Sequence, residues 1–492
     1  MSWMADVRAG PMAAAMNDGR GRRRFAAVAA IALIAGCAAD GGLKPEAALV
    51  DPASLRLSGK PDASGEAGWP AADWWRRFGD AQLDRLVAEA ISGSPGIRVA
   101  QARVRRALHL AQSVAAASEP SIALNGGVER QRLTERGMIP PAFAGRTVNT
   151  ARVALDFQYS FDFWDRNRSL FEAAIGEARA AAADAAAARL VLQAAVASSY
   201  FGLQRSVEQA AIARERVSRL EDLRRLARER FERGLDSELE LSAAHGTVAS
   251  AQRDLAALET EQSLWRNQLA ALLGKGPEAA ETIVATSLRV PDAIGLPPNL
   301  PADLVGRRPD IVAQRQRVEA AAAAIGAAKA QFFPDINLLA FAGLQSVGLG
   351  NLIDAASRVL SVGPALHLPL FNAGSLRAGL GARNAEFDVA AEQYNRSVIE
   401  AMREVGDAIA AMKSADRQLA EQRRAIDAAR RGHELAQSRL RHGLAGSLPV
   451  LGAEVARLAQ RERDAMLREQ QLRASLSLFI ALGGGYRAES PS

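Results

Sequence analysis

The chain has 492 residues, which excludes a single small domain, and its aromatic content of 5% is too thin for a wide globular core. Alanine, arginine and glutamate dominate the long middle stretches, a composition suited to extended helices with narrow, closely packed seams. The net charge of +6 is spread along those stretches as interleaved Arg and Glu, a solvated face, so no nucleic-acid partner is inferred.

The N-terminus reads as an export signal. Arg22-Arg23-Arg24 precede an apolar run from Phe25 to Ala35 that is too short to span a bilayer, and the run ends in Ile34-Ala35-Gly36-Cys37. That ending resembles the bacterial lipobox, which implies that Cys37 is lipidated and becomes the first residue of the mature chain. The alternative is an ordinary signal peptide with an incidental cysteine. Cys37 is the only cysteine, so it cannot be half of an internal disulfide. Two or more acyl chains on it would make a stable membrane anchor. Ala38 beside it points, by resemblance to sorted lipoproteins, to the outer membrane. The region before Arg20 is long for a signal, so either Met1 or Met16 is the start.

The mature chain then runs as follows. Leu83 to Ser118 is expected to be a helix of about 36 residues, entered after Trp74-Trp75-Arg76-Arg77-Phe78 and ended by Pro120. Residues 121–131 alternate, with Ile122, Leu124 and Val128 on one side and Asn125 and Glu129 on the other. A polar loop follows, and then the clearest strand signal, over 148–163. There Ala151, Val153, Leu155, Phe157, Tyr159, Phe161 and Phe163 share one face. A half-buried strand of a soluble sandwich would alternate in the same way. The aromatics gather at one end, however, as in membrane-interface girdles, and the segment is longer than a bilayer-crossing strand of about 9–11 residues. From about Arg166 to Arg233 a proline-free helix extends to Gly234-Leu235. A shorter helix over about 237–273 returns with Leu255, Leu258, Trp265, Leu269 and Leu272 at coiled-coil spacing and Gln262 at the polar step.

The whole unit is then repeated. Ser94-Pro95-Gly96-Ile97 and Glu119-Pro120-Ser121-Ile122 recur as Arg308-Pro309-Asp310-Ile311 and Phe333-Pro334-Asp335-Ile336 at one offset of 214 residues. Arg233-Gly234-Leu235 and Leu273-Gly274 recur as His442-Gly443-Leu444 and Leu482-Gly483 at an offset of 209. The second copy has strands over 335–347 and 357–371, marked by Ile336, Leu338 and Ala340 and by Leu366, Leu368 and Leu370. Its long helix covers about 375–441 and its returning helix about 447–482. The expected organisation is signal peptide 1–36, N-terminal lipidated periplasmic segment 37–82, first repeat 83–274, linker 275–300, second repeat 301–483 and tail 484–492.

Lengths and edges constrain the assembly. Each pair of short helices adds up to one long helix of roughly 100 Å at about 1.5 Å per residue, so the short ones are expected to stack end to end beside the long one. Four membrane strands per chain leave open edges, which lipid does not tolerate, and single-chain barrels start at about eight strands. A dimer would supply about eight and a trimer about twelve; about eight are filled by their own side chains, whereas about twelve have room for a lumen, so for a conduit the trimer is the better choice.

Further motifs carry a resemblance that covers essentially the whole mature chain. They are Asp73-Trp74-Trp75 with Phe78 and Asp80, Leu300-Pro301-Ala302-Asp303-Leu304 running into Arg307-Arg308-Pro309-Asp310-Ile311, and Ile325-Gly326-Ala327-Ala328 with Phe332-Phe333-Pro334. Pro369-Leu370-Phe371-Asn372-Ala373-Gly374, Tyr394, Val398, Glu404-Val405, Asp407-Ala408 and Ala481-Leu482-Gly483-Gly484-Gly485 complete the set. Together they resemble the TolC-like outer membrane factors of tripartite efflux pumps, in the NodT-type lipoprotein branch. The resemblance implies an α+β membrane protein: a homotrimeric 12-stranded outer membrane β-barrel, four strands per chain, continued by a long periplasmic α-helical barrel. It implies passive export of small molecules delivered by an inner-membrane pump of the resistance-nodulation-division type through a periplasmic adaptor. It implies no cofactor beyond the diacylglycerol and acyl chain on Cys37, contact with outer membrane lipid, and lipid-anchored residence in the cell outer membrane with a large periplasmic part.

By the same resemblance the turns at Gly234, Leu235, Gly443 and Leu444 are the adaptor-contact tips, although a plain C-cap glycine would look the same. The family closes its mouth with carboxylates six and nine residues after the second tip glycine; here those positions are Pro449 and Gly452. Glu240 keeps an acid after the first tip glycine, with Asp236 and Glu238 near it, so a Glu240 ring with Leu448 and Leu451 is the expected periplasmic gate. Ser237-Glu238-Leu239-Glu240 is equally a capping-box pattern, in which the carboxylate bonds back to the backbone. An enzyme is not expected: His109, His245, His367, His433 and His442 lack ligand spacing, and no nucleophile triad or phosphate loop occurs. A duct for type I protein secretion and a non-conducting structural coiled-coil lipoprotein are the alternatives to efflux.

Overall fold

The structure, a computed structural model, describes residues 42–55, 68–284, 290, 300–369 and 372–487. The signal segment and Cys37 lie outside the described residues, as does Leu370. The chain divides into two compact units, one of Met1–Ala48, Ala107–Ala178 and Arg317–Glu392, the other of Leu49–Arg106, Arg179–Gln316 and Gln393–Ser492. In chain order the main elements are α1 (Ala81–Gly93), α2 (Pro95–Ala116), β1 (Ser121–Arg132), β2 (Thr147–Phe161), α3 (Arg166–Glu232) and α4 (Glu238–Leu272). They are followed by α5 (Leu300–Arg307), α6 (Pro309–Ala330), β3 (Asp335–Val347), β4 (Arg358–His367), α7 (Ala373–Arg441) and α8 (Ser447–Ala481).

In the first unit the four strands form one antiparallel sheet in the order β1-β2-β3-β4, so the two repeats join along β2–β3. Period-two alternation sorts the side chains cleanly. Ile122, Leu124, Val128, Leu155, Leu360, Val362 and Leu366 fall on one face, and all are exposed. The other face carries the polar groups, with Leu339 and Phe341 among them. On it the Asn125 amide donates to Asp156 Oδ2 at 2.8 Å and Arg152 pairs with Asp156 Oδ1 at 2.7 Å, with its guanidinium 4.9 Å from the Phe341 ring centroid. Among the described residues the outer edges of β1 and β4 have no strand neighbour. Ile325, Ala328, Phe332 and Leu380 make a small core under the helices of this unit.

Two strand boundaries differ from expectation. β2 ends at Phe161, short of Phe163, because the Asp162 carboxylate turns to accept the Asn167 and Arg168 amides at 3.0 and 2.9 Å and so starts α3. β4 ends at His367, short of 371; Leu368 stands outside the strand, and Pro369 after it has no N–H for a ladder.

The second unit corrects the single helix expected over 83–118. It is two helices, broken at Ser94, which is extended at φ −65° and ψ 125° because the residue before a proline is pushed out of the α region. The second copy breaks in the same way at Arg308 before Pro309. Each break receives the end of a returning helix. A Cβ on Gly274 would collide with the Gly93 carbonyl, and one on Gly483 with the Arg307 carbonyl, so backbone meets backbone at both joints. At the second joint the Arg308 side chain, 9% exposed, binds Asp310 at 2.6 Å, Glu404 at 2.5 Å and the Ala481 carbonyl at 3.4 Å.

The core of this unit gathers Trp74, Phe78, Tyr200, Phe201 and Phe479, all fully or nearly fully buried. Trp74 stacks on Phe479 at 5.7 Å between centroids, and the Tyr200 hydroxyl donates to Asp80 Oδ2 at 2.9 Å. Asp80 Oδ1 caps α1 through the Gln82 amide at 2.7 Å. The Asp-Trp-Trp segment therefore seals the point where α1, α3 and α8 meet. Along the seam Leu269 is fully buried, and Gln262, the polar step, donates to the Ser206 carbonyl at 3.2 Å.

Candidate functional site: the two hairpin tips

Both tips belong to the second unit, and each begins with the same backbone device. Gly234 and Gly443 are left-handed, at φ 74° and 70°. The Gly234 amide donates to Phe231 at 2.9 Å and the Leu235 amide to Arg230 at 2.8 Å; Gly443 and Leu444 repeat this to Leu440 at 3.0 Å and Arg439 at 2.8 Å. These are Schellman motifs, which satisfy the last carbonyls of α3 and α7 and turn the chain sharply. Nothing lies within 4 Å of a Cβ placed on either glycine, so glycine is required by φ and not by space. The leucine after each is pushed outward, Leu235 to 62% exposure and Leu444 to 70%.

Beyond the backbone the tips differ. At the first, Arg230 grips Asp236 with two bonds of 2.8 Å across the turn. That bidentate bond, and then the opposite charge, raises the Arg230 pKa and holds the Asp236 carboxyl below its ordinary value. The capping box also forms: the Ser237 side chain accepts the Leu239 amide, and the Glu240 carboxylate accepts the Ser237 amide at 3.0 Å and the Ser237 hydroxyl. Glu240 is therefore held below the usual glutamate pKa, chiefly by the Ser237 hydroxyl. At the second tip the matching positions are Ala445, Gly446 and Pro449, and the Gly446 N-cap gives no side-chain bond. Leu448 is half exposed, whereas Leu451 is partly buried in a groove with Leu226 of α3 and Leu440 of α7. Glu240 is thus a cap fastened to Ser237 within its own turn, and the second tip offers apolar contacts without a carboxylate at the corresponding place.

A further set of groups ties the second hairpin to α3 several helical turns back from the tips. Arg457 holds Glu454 at 2.7 and 3.0 Å and reaches Glu215 at 3.5 Å, Arg461 binds Glu215 at 2.8 Å, and His433 approaches Glu454 at 3.2 Å. The Arg457 hydrogen bond keeps the Glu454 pKa low against its burial. The i,i+3 spacing of Glu454 and Arg457 was visible in the sequence, but Glu215 lies 242 residues away from Arg457, and only the fold reveals that link.

A sheet with an exposed apolar face and two open edges, built into a chain of long capped hairpins, defines a membrane duct subunit completed by other copies. The comparisons agree. A family model described as outer membrane efflux protein matches residues 86–275 and again 300–484. The chain is 39% identical over 376 residues to the fusaric acid resistance protein FusA of Burkholderia cepacia, covering 74% of this chain and 70% of that one. It is 30% identical over 430 residues to the multidrug resistance outer membrane protein MdtP of Escherichia coli K12, covering 86% and 88%. Among solved structures, the outer membrane protein VceC of Vibrio cholerae superposes with a TM-score of 0.77 at 32% identity, covering 85% of this chain and all of that one. The chain belongs to the outer membrane efflux protein family. It is a TolC-like outer membrane efflux channel, with its long helices on the periplasmic side, and family and fold are those of a channel rather than an enzyme.

Proposed function

We propose that three copies of this chain close one lipid-anchored barrel and form the outer membrane component of a tripartite pump. The observation that carries the reading is the pair of open edges on β1 and β4 beside an exposed apolar face. In lipid those edges must be paired, and three four-stranded sheets make a barrel of about twelve strands, wide enough for a lumen.

The remaining assignments follow the same frame. Leu235 and Leu444 at their glycine turns dock a periplasmic adaptor, which links the duct to an inner-membrane pump of the resistance-nodulation-division type. Closure relies on Leu448 and Leu451, while Glu240 serves first as the cap of α4 and presents one fixed negative charge per copy. Cys37 carries the diacylglycerol and acyl chain. The N-terminal segment supports this last point, since the Glu46 and Ala47 amides both bond Asp388 of α7 at 2.9 Å. Asp388 lies about 22 Å along α7 from its start, and the nine residues from Cys37 to Glu46 reach up to about 30 Å.

Planar-bilayer recording of the purified protein tests the duct directly. Discrete conductance is expected, and Glu240→Ala should lower cation selectivity while leaving the pore intact. Unchanged selectivity removes Glu240 from the gate; no conductance at all favours a structural lipoprotein. Cys37→Ser should leave an unlipidated chain, read by the mass of its N-terminal peptide.

A further inference from the structure

A cavity of about 460 Å³ lies in the first unit where the ends of β2, β3 and β4 meet α3, α6 and α7. That volume falls within the range of about 300–1,000 Å³ for small-molecule sites. One wall is aromatic: Trp164 stacks on Phe333 with centroids 4.6 Å apart and planes at 17°. The indole Nε1 donates to the Pro334 carbonyl at 2.8 Å, which fixes the pair. The opposite chemistry comes from the polar sheet face. Asp335 and His367 are directly opposed across β3–β4, and both line the cavity. Asn337 donates to Asp335 Oδ2 at 3.3 Å and accepts from the Ser160 hydroxyl. Asp162 also lines the cavity, but its two oxygens cap α3, and Arg166 is exposed.

We propose that this cavity binds a monovalent organic cation with an aromatic body, held by the Asp335 carboxylate and the Trp164–Phe333 face. A carboxylate beside an oriented aromatic surface attracts a cation through both its charge and the ring quadrupole, and the flat wall accepts aromatic rings by stacking. A bare metal ion fits poorly, since no group of three or more ligating side chains occurs among the described residues. The site rests on the duct reading, in which the polar sheet face is the channel wall and the cavity a stopping point along it.

The test uses the full-length protein and tetraphenylphosphonium, with tetraphenylborate as its anionic counterpart. In planar bilayers tetraphenylphosphonium should block the wild-type current. Asp335→Asn should weaken the block about tenfold, Trp164→Leu should weaken it while Trp164→Phe largely retains it, and tetraphenylborate should not block. Equal block of wild type and Asp335→Asn, or equal block by the two ions, overturns the proposal. Equilibrium dialysis of tetraphenylphosphonium against the detergent-solubilised protein gives the same comparison without current. Binding that depends on Asp335 in a protein that does not conduct would refute the duct and keep the site; conductance without such binding would do the reverse. Should Asp335→Asn fail to assemble, the two Trp164 variants decide.

Discussion

Replacing Gly443 with alanine should loosen the second tip and leave the body of the α7–α8 hairpin intact. Gly443 sits at φ 70° with no atom within 4 Å of an added Cβ, so backbone strain is the whole penalty. A left-handed conformation costs an L-residue roughly 1–2 kcal/mol. At about 1.4 kcal/mol per factor of ten, the opening equilibrium of the last turn should rise roughly 5- to 30-fold. Gly234→Ala carries the same strain, but that tip is also held by the Arg230–Asp236 clamp and the Ser237–Glu240 box. Hydrogen exchange read by mass spectrometry on peptides spanning 227–241 and 436–450 measures both. The second tip should exchange faster in the wild type, and Gly443→Ala should accelerate it by the stated factor. Equal exchange at the two tips of the wild type, or no change in Gly443→Ala, would show that neither the glycine nor the first-tip clamp sets the stability of the turns.

Arg308→Ala removes a buried guanidinium from the second joint and leaves Asp310, Glu404 and the Ala481 carbonyl without it. Because both carboxylates keep partial access to water, the expected cost is about 2–3 kcal/mol, below the full penalty for a buried pair; it should appear as a lower temperature of thermal unfolding, and an unchanged temperature would contradict it. Asp236, Glu240 and Glu454 all have folded pKa values below their unfolded ones, so the stability they contribute is complete above about pH 5 and is lost as pH falls through the folded values. Exchange protection at the first tip, corrected for intrinsic rate, should be flat from about pH 8 to 5 and fall below about pH 4. A loss centred near pH 6 would instead assign control to a histidine.

How much was legible depended on whether the signal was local. The strands announced themselves because apolar and polar residues alternate, so Val153, Leu155 and Phe157 on one face interleave with Arg152, Asp156 and Gln158 on the other. The capping box at Ser237 and Glu240 and the two tip glycines were equally local. The breaks at Ser94 and Arg308 were less so, because a proline is compatible with the first turn of a helix and does not say that another helix ends against it. The alternation of Leu366, Leu368 and Leu370 suggested a longer β4 than the fold makes, since apolar spacing does not register a missing N–H. The Arg230–Asp236 grip could not be read in advance, because only the left-handed glycine between them brings i and i+6 together. The links from α3 to Arg457 and Arg461 required the two repeats to be folded side by side.

Open strand edges force this chain to assemble before it can conduct. Native mass spectrometry of the protein released from lipid, taken from the preparation used for bilayer recording, tests it most directly. The conducting species should have the mass of three lipidated chains, with no conducting monomer. A conducting monomer, or a stable population of single chains in lipid, would contradict it.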